Sequence, residues 1–249
     1  MIDRVRGTIA RRLLINFRVD PAIARRQLPP GFELKLADGY AIAGICLIRL
    51  EQERPVPLPP VVGISSENAA HRFAAFRVES DGTRRDCVYI ARRHTASTIS
   101  VLLGGRVFPG QHRPARFAVS ESGGVIDLSM RGSDGLDVCV RARPTRTLPP
   151  TSVFRSIDEA SEFFRPGSLG YSANRDGASL DGLLLTTARW AVEPLEVEQV
   201  ASTYFDDRSR FPEGSVEFDC ALLMKGIEHE WQRTASVHLK RALQPQLTY

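Results

Sequence analysis

Three Asp-Gly pairs, at 38–39, 81–82 and 134–135, constrain this chain more than any other feature. Each stands between two runs of apolar or alternating residues. The first joins FELKLA to YAIAGICLIRL, the second HRFAAFRVES to RRDCVYIARR, and the third GVIDLSMRGS to LDVCVRAR. Gly, and more rarely Asp, adopts the positive φ that tight hairpin turns demand, so the pair is a strong antiparallel signal. The spacing predicts hairpins over 32–50, 72–93 and 116–143 within one continuous sheet. In the last arm Leu136, Val138 and Val140 share one face, and Asp137, Cys139 and Arg141 the other. RFAVS, ahead of Gly123-Gly124, adds one more strand to this meander.

Helical signals are few. Asp20-Pro21 reads as an N-cap with proline at the first helical position, and Pro29-Pro30 stops that helix. Thr95 is placed to cap ASTISVLL, which ends at Gly104-Gly105. Ser156 to Glu159 forms a capping box for EASEFF, closed by Pro166-Gly167. The stretches ERPVPLPPVVG and TLPPTS are loops. With no repeat and no break in composition, residues 1–249 are expected to form a single domain. The expected class is mainly β (α+β): a curved antiparallel sheet closed into a barrel or cone, with a few short helices outside.

Composition narrows the partners. At 43% hydrophobic residues the chain can fill one large core. The net charge of +4 is mild, and the arginine pairs at 11–12, 25–26, 84–85 and 92–93 are scattered without aromatic interleaving, which argues against a nucleic-acid face. Cysteines 46, 87, 139 and 220 lie far apart in apolar stretches, as expected of buried reduced thiols rather than a metal or disulfide framework. The N-terminal stretch lacks a signal-type apolar core, and the longest apolar run, 40–48, is too short for a bilayer. A cytoplasmic protein with no membrane or nucleic-acid partner is expected.

Known catalytic signatures are missing: no nucleophile elbow, P-loop, dinucleotide fingerprint or complete zinc motif. His229-Glu230-Trp231 starts like a zinc motif, but residue 233 is Arg. No metal and no cofactor is expected. The segment GGRVFPGQHRP, 104–114, is the exception worth weighing. Its glycines permit close approach to a ligand, Arg106 and Arg113 offer forked donors, and His112 exchanges a proton near neutral pH. Taken alone it reads rather as a plain structural loop with exposed charges, since segments rich in Gly and Pro usually only turn.

Several stretches resemble the acetoacetate-decarboxylase-like superfamily. NFRVDPAIARRQLPPGFEL, 16–34, is similar to its entry strand and helix. GISSENAA, 63–70, resembles a loop that carries an acidic residue there. GGRVFPGQHRP is similar to its Gly-Arg…aromatic-Pro-Lys-Lys segment, and WAVEPLEVEQVAST to a late strand. FFRPGSLGYSAN, STYFDD and FPEGSVEFDCALLM resemble the second half of an uncharacterised bacterial family within the superfamily.

The resemblance implies a pocket and departs at its catalyst. In the decarboxylases two lysines follow the aromatic-Pro pair, and one forms a Schiff base with the substrate ketone. Here Gly110 and Gln111 stand in their place. The lysines are Lys35, Lys225 and Lys240. What the resemblance implies is therefore a β-barrel that binds or acts on a small keto acid or carboxylate without an imine. If it is catalytic, the chemistry is of lyase, hydratase or isomerase type, with Glu67 and His112 as acid and base. Arg106, Tyr89, Arg18 and Gln111 would hold the substrate. The alternatives are a non-catalytic ligand-binding or structural barrel, and a decarboxylase using a relocated lysine such as Lys225. A homo-oligomer stays open.

Overall fold

Asp38 and Gly39 both take positive φ, 46° and 80°, and turn the chain between Ala37 and its partner Tyr40. The other two Asp-Gly turns are longer. There only the glycine is left-handed, Gly82 at 83° and Gly135 at 80°, and backbone bonds such as Gly135 N to Gly132 O (3.1 Å) close the loop. The computed structural model describes residues 2–103, 109–174 and 177–239.

Among the described residues thirteen strands form one sheet. They are β1 (Arg4–Val19), β2 (Phe32–Leu34), β3 (Leu36–Ala37), β4 (Tyr40–Pro55), β5 (Ile64–Val78), β6 (Arg84–Thr95), β7 (Arg113–Ser122), β8 (Val125–Gly132), β9 (Asp137–Pro144), β10 (Leu169–Ala173), β11 (Ser179–Thr187), β12 (Glu193–Ser202) and β13 (Val216–His238). The helices are α1 (Pro21–Arg25), α2 (Thr98–Leu103) and α3 (Ile157–Phe164), with a 3-10 turn at Pro60–Val62. Hairpin β5–β6 and the meander β7–β8–β9 match the sequence reading. The first hairpin is shorter than expected: only β3 pairs with β4, while Phe32–Leu34 crosses to pair with β5.

The pairings close the sheet twice. One ring runs β6, β7, β8, β9, β12, β13, β1, β4, β5 and back to β6, nine strands in all. A second runs β6, β10, β11, β13, β1, β4, β5. Two parallel contacts at β6, with β7 and with β10, and the β11–β13 pairing complete them. The strands β13, β1, β4, β5 and β6 are thus a wall common to both rings. Period-2 alternation makes that wall two-faced. Leu13, Ile15, Ile45, Leu47, Phe73, Ala221 and Leu223 join one buried cluster with Leu128, Met130, Val138 and Val140 of the nine-strand ring. Leu14, Cys46, Ile48, Ala74, Leu222 and Met224 join a second, which continues into Leu185 of β11 and Phe154, Ala160 and Phe164 around α3.

The helices carry the expected caps with small shifts. Asp20 Oδ1 accepts from Ala22 N (2.7 Å) and Ile23 N (3.3 Å). Helix α2 starts later than the sequence suggests. Ser97 Oγ accepts from Ser100 N (3.1 Å), and Thr95 instead supports Ser97 N (3.1 Å). Ser156 caps α3 as expected, but Glu159 reaches back to the amide of Arg155 rather than that of Ser156. Among the described residues no helix is long and apolar enough to cross a membrane.

Candidate functional site

The seven-strand ring is hollow. A cavity of about 320 Å³ draws lining residues from every one of its strands: Arg12, Cys46, Ile48 and Leu50, Asn68 and Arg72, Val88, Ile90 and Arg93, Gly170, Leu183 and Trp231. A second cavity of about 260 Å³ adjoins it, sharing Arg12, Arg72, Val88 and Gly167, and adds Lys35, Phe163, Phe164 and Trp190. Volumes near 300 Å³ are at the small end of ligand sites.

Four arginines line this space; Arg54 is tied to the carbonyls of Leu58 (3.1 Å) and Gln52 (2.8 Å), which leaves Arg12, Arg72 and Arg93. Arg12 is in phase with Leu14 on β1, and Arg72 with Ala74 on β5. Arg93 reaches the same wall by a bulge: His71 pairs with Arg92 and Arg72 with Ile90, leaving Ala91 as the extra residue. The bulge turns Arg93 to the side of Val88 and Ile90. Arg72 is 4% exposed, donates to Asn16 Oδ1 (2.8 Å) and lies over the Phe164 ring (5.3 Å), yet its Nε has no partner. Arg93 Nε is likewise buried and unpartnered. Arg12 bonds only to sulfur among the described residues, Cys46 Sγ at 3.2 Å and Met224 Sδ at 3.8 Å. Among the described residues none of the three has a carboxylate within ion-pair distance, although the charge of Asp181 acts on Arg93. Burial pulls Arg72 and Arg93 down to about 10, so both stay protonated at neutral pH. Buried cations with open donors call for an anion.

The turn at 109–112 seals one end. Gly110 has φ +85°, and its N–H donates to Asp181 Oδ2 (3.1 Å). A Cβ there would stand 2.6 Å from Ser172 Oγ and 3.4 Å from Arg93 Cζ. Ser172 therefore fills the space a side chain at 110 would need, with Arg93 in contact beside it. His112 lines the cavity, with Nδ1 3.2 Å from Gly110 O. A carbonyl only accepts, so Nδ1 carries the proton and Nε2 is left with a lone pair. Burial and then the charge of Arg93 push His112 down to about 3, keeping it neutral. His94, also on the cavity wall, donates from Nε2 to Asp134 Oδ1 (2.9 Å). Burial alone would raise Asp134, but the His94 bond and the charges of His94 and Arg113 carry it below the usual range.

The residues singled out from the sequence do not converge. His112 is on the cavity. Glu67 is in phase with Ala69 and His71, faces away from it, and pairs with Arg11 (2.6 Å) and Arg49 (3.4 Å). Tyr89 packs against the core of the nine-strand ring, 6.2 Å from the Phe32 ring. Arg18 sits at the far end of β1, bonded to Thr151 O (2.8 Å) and paired with Glu217. Gln111 is exposed, and Arg106 lies outside the described residues. The relocated-lysine alternative loses its residue: Lys225 is 52% exposed and 3.7 Å from Glu121. Lys35 lines the second cavity but is held by Asp86 and by Phe163 O (2.9 Å). Sequence reasoning missed Arg12, Arg72, Arg93 and Asp181.

This double-ring β-barrel is shared with acetoacetate decarboxylase-like proteins. The chain is similar in structure to an acetoacetate decarboxylase-like enzyme from Sphingomonas wittichii RW1, with TM-score 0.57, 14% identity, and coverage of 96% of this chain and 94% of that one. It is also similar to the acetoacetate decarboxylase of Legionella pneumophila, with TM-score 0.58, 11% identity, and coverage of 93% and 87%. A third similar structure is the enduracididine biosynthesis enzyme MppR complexed with pyruvate, with TM-score 0.51, 14% identity, and coverage of 95% and 90%. No curated protein matches the chain. Within this fold the chain belongs to the DUF2071 family, described as "Uncharacterized conserved protein (COG2071)", whose model matches residues 7–225.

Proposed function

We propose that the protein binds a small organic acid, a carboxylate or keto acid, inside the seven-strand ring and without Schiff-base chemistry. The observation that carries this is the open Nε–H of Arg72 and of Arg93 on the wall of one cavity. Arg12 is the third cation. That a protein of the same fold is complexed with pyruvate supports the class of ligand. Glu67 has no part in this reading. The four cysteines are free, which accords with a reducing compartment, and a cytoplasmic location belongs to the same proposal.

Calorimetry with acetate, pyruvate and acetoacetate tests it. Arg72→Met and Arg93→Met are each expected to stay folded and to weaken binding by about 1.5–3 kcal/mol, the range for hydrogen bonds to charged groups. Unchanged affinity in both variants overturns the assignment. Borohydride treatment with pyruvate or acetoacetate is expected to leave no adduct by mass spectrometry. A stoichiometric adduct, above all on Lys35, restores imine chemistry.

A second reading has its own observation. His112 is pinned through Nδ1 and presents a bare Nε2 beside the arginines, the arrangement of a general base next to an enolate site. Solvent-deuterium exchange into the carbon next to the keto group, lost in His112→Phe, would establish proton transfer. Absence of exchange leaves a binding protein.

A further inference from the structure

The main cavity runs on past Arg72 and Arg93, and its lining there is mainly apolar. Along β4 the lining residues Cys46, Ile48 and Leu50 alternate away from the arginine end. That is four residues of strand, about 13 Å at roughly 3.3 Å per residue. Ile90, Leu183 and Trp231 stand on the other strands of the ring. The polar groups on this stretch are few. Asn68 Nδ2 donates to Ile48 O (3.4 Å) and to Ser66 O (3.2 Å), Arg54 donates to Leu58 O (3.1 Å) and Gln52 O (2.8 Å), and Glu53 Oε1 lies 2.6 Å from His229 Nε2 as an ion pair without a formed hydrogen bond. The apolar surface continues outward to Val62 and Ile99, 51% and 49% exposed, which also line the cavity. At roughly 30 Å³ per heavy atom, the volume of liquid water, 320 Å³ takes about ten heavy atoms. Pyruvate has six.

We propose that the ligand is an acid with an apolar tail, an aliphatic carboxylate or keto acid of about six to eight carbons. Its carboxylate sits on Arg72 and Arg93, and its chain runs along Cys46, Ile48 and Leu50 toward the mouth. The proposal rests on the anion site argued above. A three- or four-carbon acid satisfies the arginines and leaves the apolar wall wet. A longer chain removes that wall from water and gains free energy with each methylene until the space is full.

The test is calorimetry with the 2-keto acids and the plain carboxylates from three to twelve carbons. Affinity is expected to rise about fourfold per methylene, the factor for one buried CH₂, to an optimum near eight carbons and then to fall. Leu50→Trp and Ile64→Trp, which narrow the outer end, are expected to shorten the optimal chain and to leave acetate and pyruvate binding unchanged. Ile64 is only half-buried, so its variant reports even if Leu50→Trp fails to fold. Short acids that bind with no gain on lengthening overturn the tail and spare the anion site. No binding by any acid overturns both. An optimum unmoved in both tryptophan variants places the tail elsewhere and overturns the path.

Discussion

The two rings share five strands and differ in what fills them. The nine-strand ring holds Leu13, Ile15, Ile45, Leu47, Phe73, Leu128, Met130 and Val140, nearly all without exposed surface. The seven-strand ring holds a cavity lined by four arginines, Arg12, Arg54, Arg72 and Arg93. On β5 the difference falls between neighbours: Phe73 is fully buried on one side, and Arg72 stands on the cavity wall on the other. A single strand thus serves stability through one face and ligand chemistry through the other. The apolar face repays the entropy of ordering the chain. The opposite face keeps a cation with an open donor, which folding alone does not reward.

The sharpest way to break this division is to truncate each neighbour in turn. Phe73→Ala is expected to lose about 3–5 kcal/mol in urea unfolding, as large-to-small changes in a packed core do. Arg72→Met, one residue away, is expected to cost less, about 1–3 kcal/mol, because it removes a buried cation lacking a carboxylate but leaves Asn16 Oδ1 without its donor. If Arg72→Met unfolds the protein as severely as Phe73→Ala, the arginine is structural and the division fails.

Acid acts on both rings, through His71 on the filled side and His112 on the cavity. His71 is fully buried on the nine-strand side, 3.2 Å from Ser202 Oγ and 4.9 Å from the Tyr204 ring. Burial first, then the charges of His94 and Arg92, push it down to about 3. A histidine lowered on folding is neutral in the native state and protonated in the unfolded chain below about 6.5. Stability is therefore complete above that pH and falls as pH drops from 6.5 toward 3, by up to about 1.4 kcal/mol per pH unit. Unfolding midpoints at pH 7, 6 and 5 for the wild type and His71→Leu measure this. His112 is lowered in the same way and keeps its part of the slope, so the variant is expected to lose about half as steeply; an undiminished slope means that His71 is not a group responsible.

How much of this could be read from the chain follows the range of the interactions. Asp-Gly turns act over four residues, so the β5–β6 hairpin and the β7–β9 meander were legible. Ring closure through β6–β10, β6–β7 and β11–β13 joins distant segments and left no local mark. The site was legible in part. His112 was found from its turn. Arg12 and Arg72 carry a usable signal, since each stands in phase with an apolar residue two places on, Leu14 and Ala74, which puts a cation on a buried face. Arg93 carries none, because the bulge at Ala91 inverts the phase. Glu67 came from the resemblance of its segment, whereas its phase with Ala69 and His71 points it at the filled ring.

Two left-handed glycines sharpen the comparison at its smallest scale. Gly110 (φ +85°) closes the hollow ring, and Gly135 (φ +80°) turns β8 into β9 on the filled one. Alanine at either position takes on the strain of the left-handed region, about 1–2 kcal/mol. Around Gly135 nothing lies within 4 Å of the added methyl, so Gly135→Ala is expected to lose that much stability and leave ligand binding untouched. At Gly110 the methyl meets Ser172 Oγ at 2.6 Å, so Ser172 must turn away, and it touches the Arg93 guanidinium at an ordinary contact distance of 3.4 Å. Gly110→Ala is therefore expected to show a similar or larger loss of stability together with a modest drop in carboxylate affinity, because the displaced hydroxyl and the new methyl both lie against Arg93. Parallel thermal melts and calorimetry on the pair separate strain from site. Equal effects of both substitutions on binding would mean that the turn at 110 only closes the barrel, and that Arg93 is not held in place by the absence of a side chain there.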